Sequence, residues 1–255
     1  MHTLRTRFKK DIVAEFLPPS GSQASHSYKE RVVIFCDGLP SVPSKRSLLE
    51  FFSKKGYWVF HPRYRGTWES GGRFLKKSPH EDILDVISAL SGGFRDFWSN
   101  KKYTVRPDHL YVIGSSFGGT AAILASGDPR VTKAVAIAPV VDWTRKSRAE
   151  PIDWLAKFTK RAFGQGYRFS HSDWRKLEGG KFYNPFGMIE RINGTKLLII
   201  HANDDDVVSF KPVKTFAKHT GCTFVPVKKG GHLSSSILLK KRFYRRFQEF
   251  IKKKM

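Results

Sequence analysis

Three stretches of this chain carry side chains able to do nucleophilic chemistry. Gly114-Ser-Ser-Phe-Gly118 sets Ser116 between two glycines, just after the apolar run Leu110–Ile113 and just before Ala121–Ala125. A serine on a sharp turn between a strand and a helix is the nucleophile-elbow arrangement. Glycine two residues either side is a steric need, because the turn strains its own backbone and brings its flanks together. Phe117 then opens the helix, so its N–H lacks an intrahelical partner and can hold an oxyanion. A serine hydroxyl is a weak nucleophile until a base takes its proton and a third group orients that base. Gly230-Gly-His232 offers the imidazole, and Asp204, Asp205 and Asp206, just after His201, offer three carboxylates.

Other residue types in the chain could do different chemistry, and each has a plainer reading. His201 with Asp204, Asp205 and Asp206 could imitate a metal cluster, but one short acidic loop with no second ligand group does not make a site. No metal and no cofactor is therefore expected. Ser70, in Trp68-Glu-Ser-Gly-Gly72, lacks the preceding glycine of an elbow and is not expected to be a nucleophile. Arg63 and Arg65 could bind an anionic substrate, yet bracing a loop or a buried carboxylate is the commoner use of such arginines.

The elements that must hold these residues follow from hydrophobic rhythm. Asp11–Leu17, Arg31–Gly38, Gly56–His61, Leu110–Ile113, Val131–Val141, Lys196–His201 and Cys222–Lys228 read as strands. Helical patterns lie between them: Ser44–Lys55 with Leu48, Leu49, Phe51 and Phe52 inward, a segment behind Ser78-Pro-His-Glu81, Lys211–His219, and a tail from Ser234 with Phe243, Phe247, Phe250 and Ile251 on one face. Ser78 and Glu81 have the spacing of a capping box. Pro18–Ser27 reads as a loop. Strands alternating with helices give an α/β fold with a mainly parallel sheet flanked by helices. In such sheets chemistry gathers at the carboxyl ends of strands. Gly38, Ser116, the aspartates after His201, and His232 all fall at such ends.

Val33–Gly38, Tyr64–Gly72, Gly114–Gly118, Leu198–Val208 and Gly231-His232 together resemble the α/β-hydrolase superfamily, and most of all its prolyl-oligopeptidase-type and small carboxylesterase branch. The resemblance runs from Asp11 to the last helix. It implies the chain order serine, acid, histidine, and hence Ser116, Asp205 and His232. Asp205 is the acid it selects, four residues after His201 and two before Val207. It also implies an oxyanion hole built from the N–H groups of Phe117 and Leu39. Where the family often has His-Gly before that second donor, this chain has Asp37-Gly38, and Asp37 is expected to turn away and bind its own loop. Ala202 stands where a glycine is usual. The resemblance further implies a single domain over 1–255 with a small helical cap inserted at 144–194, helices near Pro151–Phe163 and Ser172–Leu177, and aromatic side chains that could line an acyl pocket, although packing of the cap on itself and on the sheet must account for most of them. The propeller of the large oligopeptidases is not expected in a chain of 255 residues.

The implied activity is hydrolysis of carboxylic esters through an acyl-enzyme, with short peptides as the second substrate class and thioesters or acyl transfer open to the same machinery. Composition bounds this reading. Cys36 and Cys222 are too few for a disulfide framework and suit a reducing, cytoplasmic setting. The N-terminal Met1–Lys10 is charged without an apolar stretch behind it, unlike a secretory signal. The net charge of +24, from 46 Lys and Arg against 22 Asp and Glu, could draw the protein to nucleic acid or an anionic membrane. No nucleic-acid-binding motif accompanies it, so a solvated basic surface is the expectation, with a non-catalytic polyanion binder as the alternative of another class.

Overall fold

Alternation along each inner strand decides the architecture. On β3 (Arg31–Cys36), Val32 and Ile34 point to one side of a sheet while Val33 and Phe35 point to the other, and all four are buried. A strand apolar on both faces must be covered on both. The computed structural model, which describes residues 2–20, 30–145 and 150–253, shows how.

In chain order the elements are β1 (Leu4–Phe8), β2 (Ile12–Leu17), β3, α1 (Arg46–Lys54), β4 (Trp58–Pro62), α2 (Pro79–Ala89), a two-stranded hairpin β5 (Phe94–Arg95) and β6 (Lys102–Tyr103), β7 (His109–Ser115) and α3 (Phe117–Ala125). Then come β8 (Lys133–Ile137), α4 (Ile152–Phe163), α5 (His171–Arg175), β9 (Leu197–Ala202), α6 (Phe210–Thr220), β10 (Thr223–Val227) and α7 (Lys241–Lys252). Eight strands form one sheet in the order β1-β2-β4-β3-β7-β8-β9-β10. β1–β2 and β2–β4 pair antiparallel and every other neighbour pair is parallel. This is the α/β-hydrolase fold. One face packs under α2 and α3, through Ile83, Val86, Ala121 and Ala122. The other packs under α1 and α7, where Phe52 meets Tyr57, Tyr244 and Phe247 in edge-on ring contacts.

Most elements lie within two residues of their expected bounds, and the departures have physical causes. β1 was not anticipated, because Met1–Lys10 reads first as a charged stretch. Within it Thr6 and Phe8 alternate inward while Arg7 faces water, so a period of two hides among the cations. β8 stops at Ile137 rather than reaching Val141: Ala138 takes a positive φ of 45° and sends the chain out of the sheet toward the elbow. The capping box at Ser78 does not form, since the Ser78 hydroxyl pairs with His80 Nδ1 at 2.8 Å. The tail begins as a short 3₁₀ turn, Ser235–Leu239, before α7, whose buried face gains Tyr244; Phe51 and Ile251 are only half-buried. Residues 21–27 of the expected loop lie outside the described residues. Cys36 and Cys222 are both free thiols, on or beside strands separated by four steps of the sheet. Among the described residues no helix is long and apolar enough to cross a membrane.

Candidate active site

The end of β7 supplies the turn. Ser116 has φ 54° and ψ −122°, a conformation costly for a residue with a Cβ. Its neighbours explain how the strain persists. A Cβ on Gly114 would stand 2.0 Å from the Gly118 carbonyl oxygen, and one on Gly118 would stand 2.4 Å from the Cys36 carbonyl oxygen. Only glycine lets the turn close on itself and on the end of β3. The Ser116 N–H donates to Ile137 O at 2.9 Å, tying the elbow to β8.

Two backbone donors flank the serine. Gly38 lies against it: a Cβ there would be 3.7 Å from Ser116 Cβ. Leu39 follows at the cleft wall, and Phe117 opens α3. Among the described residues the N–H groups of Leu39 and Phe117 have no hydrogen-bond partner, although both side chains are buried. Buried donors left unused are uncommon. The Phe117 carbonyl, by contrast, is fixed by the Tyr183 hydroxyl at 2.8 Å.

Loops after β9 and β10 bring a carboxylate and an imidazole together. Asp205 Oδ2 and Oδ1 lie 2.9 and 3.1 Å from His232 Nδ1. The Asp205 side chain is sealed from solvent while His232 stays 27% exposed. Asp205 Oδ1 also accepts from the N–H groups of Val207 and Val208 at 3.0 and 2.9 Å, which fixes the carboxylate. An ionised carboxylate only accepts, so the ring proton sits on Nδ1 and the Nε2 lone pair is left for other work. His201, wholly buried, pins the same loop through Nε2 to the Val208 carbonyl at 2.9 Å, and burial lowers its pKa. Asp204, exposed, accepts from Gly230 and Gly231 N–H at 2.9 and 3.0 Å. It thereby links the acid loop to the histidine loop, a role the sequence reading did not find. Asp206 is exposed. Ser235, just past His232, reaches Ser115 at 3.2 Å and ties that loop to the elbow.

The sequence profile of the prolyl oligopeptidase family matches residues 43–255. The chain belongs to that family. It is a family of serine hydrolases. No curated protein matches the sequence. Among solved structures the chain is similar to DcsB in complex with a substrate analogue, with TM-score 0.71, 16% identity and 98% of both chains covered. It is similar to the esterase Pf2001 of Pyrococcus furiosus, with TM-score 0.67, 19% identity, 98% of this chain and 90% of that one. It also matches the acylaminoacyl peptidase of Pyrococcus horikoshii, with TM-score 0.65 and 17% identity, over 100% of this chain but 43% of that one. At such identities the likeness is one of fold.

For a prolyl oligopeptidase family member, the remaining features define where a substrate could sit. A cleft of about 720 Å³ opens over Ser116. Its walls are mixed: aliphatic side chains such as Val140, Val141, Val208 and Val213 share them with Asp142, Arg145, Glu150, Asp153 and Glu178. None of the aromatics described in 144–194 lines it, so packing is the use of the buried ones, while Trp143, just before that segment, does line it. Tyr167, Phe169, Trp174 and Tyr183 are buried in the packing between this segment and the sheet, Phe169 against Trp174 at 4.5 Å, while Trp154 and Phe158 face outward. Burying large rings under the insertion is worth more than leaving them in a wet cleft. Glu150 stands in the cleft wall, and desolvation raises its pKa against the pull of His232.

The other candidates have structural occupations. Ser70 is fully buried, donating to Arg63 O at 2.8 Å and accepting from Val13 N–H at 2.9 Å. Arg65 is held by Asp11, Asp82 and Asp85. Arg63 is 2% exposed and braces buried partners. Asp37 is not part of the cleft lining, and its carboxylate binds His61 and Lys45 rather than its own loop. Among the described residues no group of three His, Cys, Asp or Glu side chains converges as metal ligands do.

Proposed function

We propose that the chain hydrolyses carboxylic esters, with Ser116 as nucleophile, His232 as general base and acid, Asp205 orienting it, and the N–H groups of Phe117 and Leu39 as the oxyanion hole. The observation that carries this reading is the clamp on His232 Nδ1 at 2.9 Å by a carboxylate that is itself fixed by two backbone N–H groups. It leaves one lone pair, on Nε2, for the serine proton. In the first step Ser116 Oγ bonds to the acyl carbon, its proton passes to Nε2, and the carbonyl oxygen takes the negative charge between the two N–H donors. Collapse returns that proton to the departing alcohol and leaves an acyl-serine. Water then repeats the sequence and releases the acid.

Esters are the favoured class because Val140, Val141, Val208 and Val213 give the cleft that holds Ser116 an apolar part, which suits an apolar acyl group. The likeness to an esterase over nearly its whole length agrees with this. Peptides are the second class, favoured by the family and by the likeness to an acylaminoacyl peptidase.

A panel of p-nitrophenyl esters set against aminoacyl-nitroanilides tests the choice, with short-chain esters expected to turn over fastest. Faster cleavage of the anilides would make it a peptidase. Ser116→Ala should lose both turnover and labelling by a fluorophosphonate. Undiminished labelling of that variant would sink the nucleophile assignment.

A further inference from the structure

The loop that presents Leu39 begins with a carboxylate, and a negative charge beside a developing oxyanion should oppose the reaction. The structure shows where that charge goes. Asp37 Oδ2 meets His61 Nε2 at 2.7 Å, and Oδ1 meets Lys45 Nζ at 2.9 Å. His61 Nδ1 meets Arg63 Nη1 at 2.9 Å, and Arg63 Nη2 meets Glu15 Oε2 at 3.0 Å. The chain of contacts thus runs from β2 through β4 to the end of β3 and the start of α1. His61 is fully buried and Arg63 is 2% exposed.

Hydrogen-bond chemistry fixes the polarity of this chain. A guanidinium can only donate. One Arg63 nitrogen donates both to the His61 carbonyl at 2.9 Å and to Nδ1. Nδ1 therefore accepts, the ring proton sits on Nε2, and His61 donates to Asp37. Glu15 Oε2 lies 3.7 Å from the same Nδ1, too far to compete for it. Three anions, Glu15, Asp37 and Glu69, then face three cations, Arg63, Lys45 and Arg5, and the charge cancels inside the cluster. Burial alone would raise both carboxyls, yet His61 and Lys45 bring Asp37 well below the ordinary range, and His61 and Arg63 bring Glu15 to about 2.

The same residue is gripped by its backbone. Tyr64 donates its hydroxyl to the Asp37 carbonyl at 3.2 Å, and that carbonyl packs on Gly118, where a Cβ would come within 2.5 Å. Asp37 is held on three oxygens two residues before the unpaired Leu39 N–H. We propose that Asp37 is a positioning residue, which through His61 and Lys45 aims the Leu39 N–H at the oxygen of the tetrahedral intermediate over Ser116. This rests on the serine-hydrolase reading of the site.

Removing an oxyanion donor outright costs about 10²–10³ in turnover, so mis-aiming one should lower kcat by roughly 10–10². Asp37→Asn and His61→Phe are expected to do so, counted per fluorophosphonate-labelled site, with KM within about threefold. His61→Gln, which keeps a donor for Asp37 and an acceptor for Arg63, should restore most of the activity. The inhibition constant of a trifluoromethyl ketone, whose serine adduct carries the same oxyanion, should rise in step with the fall in kcat. A purely structural role would lower the melting temperature and the number of labelled sites but leave kcat per site and ketone affinity unchanged. Wild-type kcat and ketone affinity in folded Asp37→Asn, or in Lys45→Met should the Asp37 variant not fold, overturn the proposal. An active Ser116→Ala would instead overturn the serine-hydrolase reading itself, so the two failures are distinct.

Discussion

Two aspartate–histidine pairs sit at neighbouring strand ends of this protein, and their contact lengths hardly differ. Asp205 meets His232 at 2.9 Å and Asp37 meets His61 at 2.7 Å. Their occupations are set by what each imidazole does with its second nitrogen. His61 gives Nδ1 to an arginine and is closed to solvent, so it has no lone pair left to take a proton. His232 spends only Nδ1, and its Nε2 has no partner among the described residues. The ionic surroundings differ in the same sense. Asp37 has a lysine as well as an imidazole, which cancels its charge in place. Among the described residues no lysine or arginine pairs with Asp205; besides His232 it has only the buried His201 ring, 3.4 Å away. A carboxylate–imidazole contact is therefore not a catalytic signature by itself; what distinguishes His232 from His61 is the lone pair left on Nε2.

Mutating the two aspartates alike is the sharpest way to break this contrast. Asp205→Asn should lose on the order of 10⁴ in kcat on an activated ester, as in the serine-protease case where the imidazole is left in the wrong tautomer. That is far more than expected of Asp37→Asn. Equal losses in the two variants, read by steady-state kinetics on one substrate, would erase the distinction.

A second contrast is between turnover and stability. The buried cluster should show in unfolding as a function of pH. Glu15 titrates at about 2 in the folded protein against an ordinary 4.5, with Arg63 and Arg5 as its cationic neighbours and the His61 ring beside it. A depressed folded-state value adds stability that is complete above the unfolded value and disappears as pH falls from about 4.5 toward 2. That contribution is worth about 3 kcal/mol. Urea unfolding from pH 6 to pH 2 should therefore decline steeply, and less steeply in Glu15→Gln. Parallel curves for the two proteins would mean the cluster is not what acid disrupts.

The smallest effects concern the aspartates beside the acid. Asp204→Asn keeps an oxygen for the Gly230 and Gly231 N–H groups and should stay within about tenfold of wild type in kcat. Asp204→Ala, which releases the histidine loop, should fall further. Asp206 is exposed, and Asp206→Asn should change stability by no more than about 0.5 kcal/mol. If Asp206→Asn were the inactive variant, the assignment of the acid to Asp205 would be wrong by one position.

What the sequence determined by itself is local and steric. Gly114 and Gly118 announce the elbow because close backbone approach excludes every other residue. Continuous apolar runs such as Arg31–Cys36 and Leu197–Ala202 announce buried strands, and their order announces the sheet. The three consecutive aspartates could not be separated by residue type, and only a family pattern singled out Asp205. The tertiary structure separates them by direction: one carboxylate reaches His232, one grips Gly230 and Gly231, one faces water. It also decided the fate of Asp37, whose partners come from different elements, and that of Tyr167, Phe169, Trp174 and Tyr183, which pack inward rather than toward the cleft. β1 shows the limit from the other side, since its alternation was present but masked by charge. Steric demands of a turn act within five residues and are written there. Cancelling a buried charge needs partners that only the finished sheet brings within hydrogen-bond reach, and no short window of sequence contains them both.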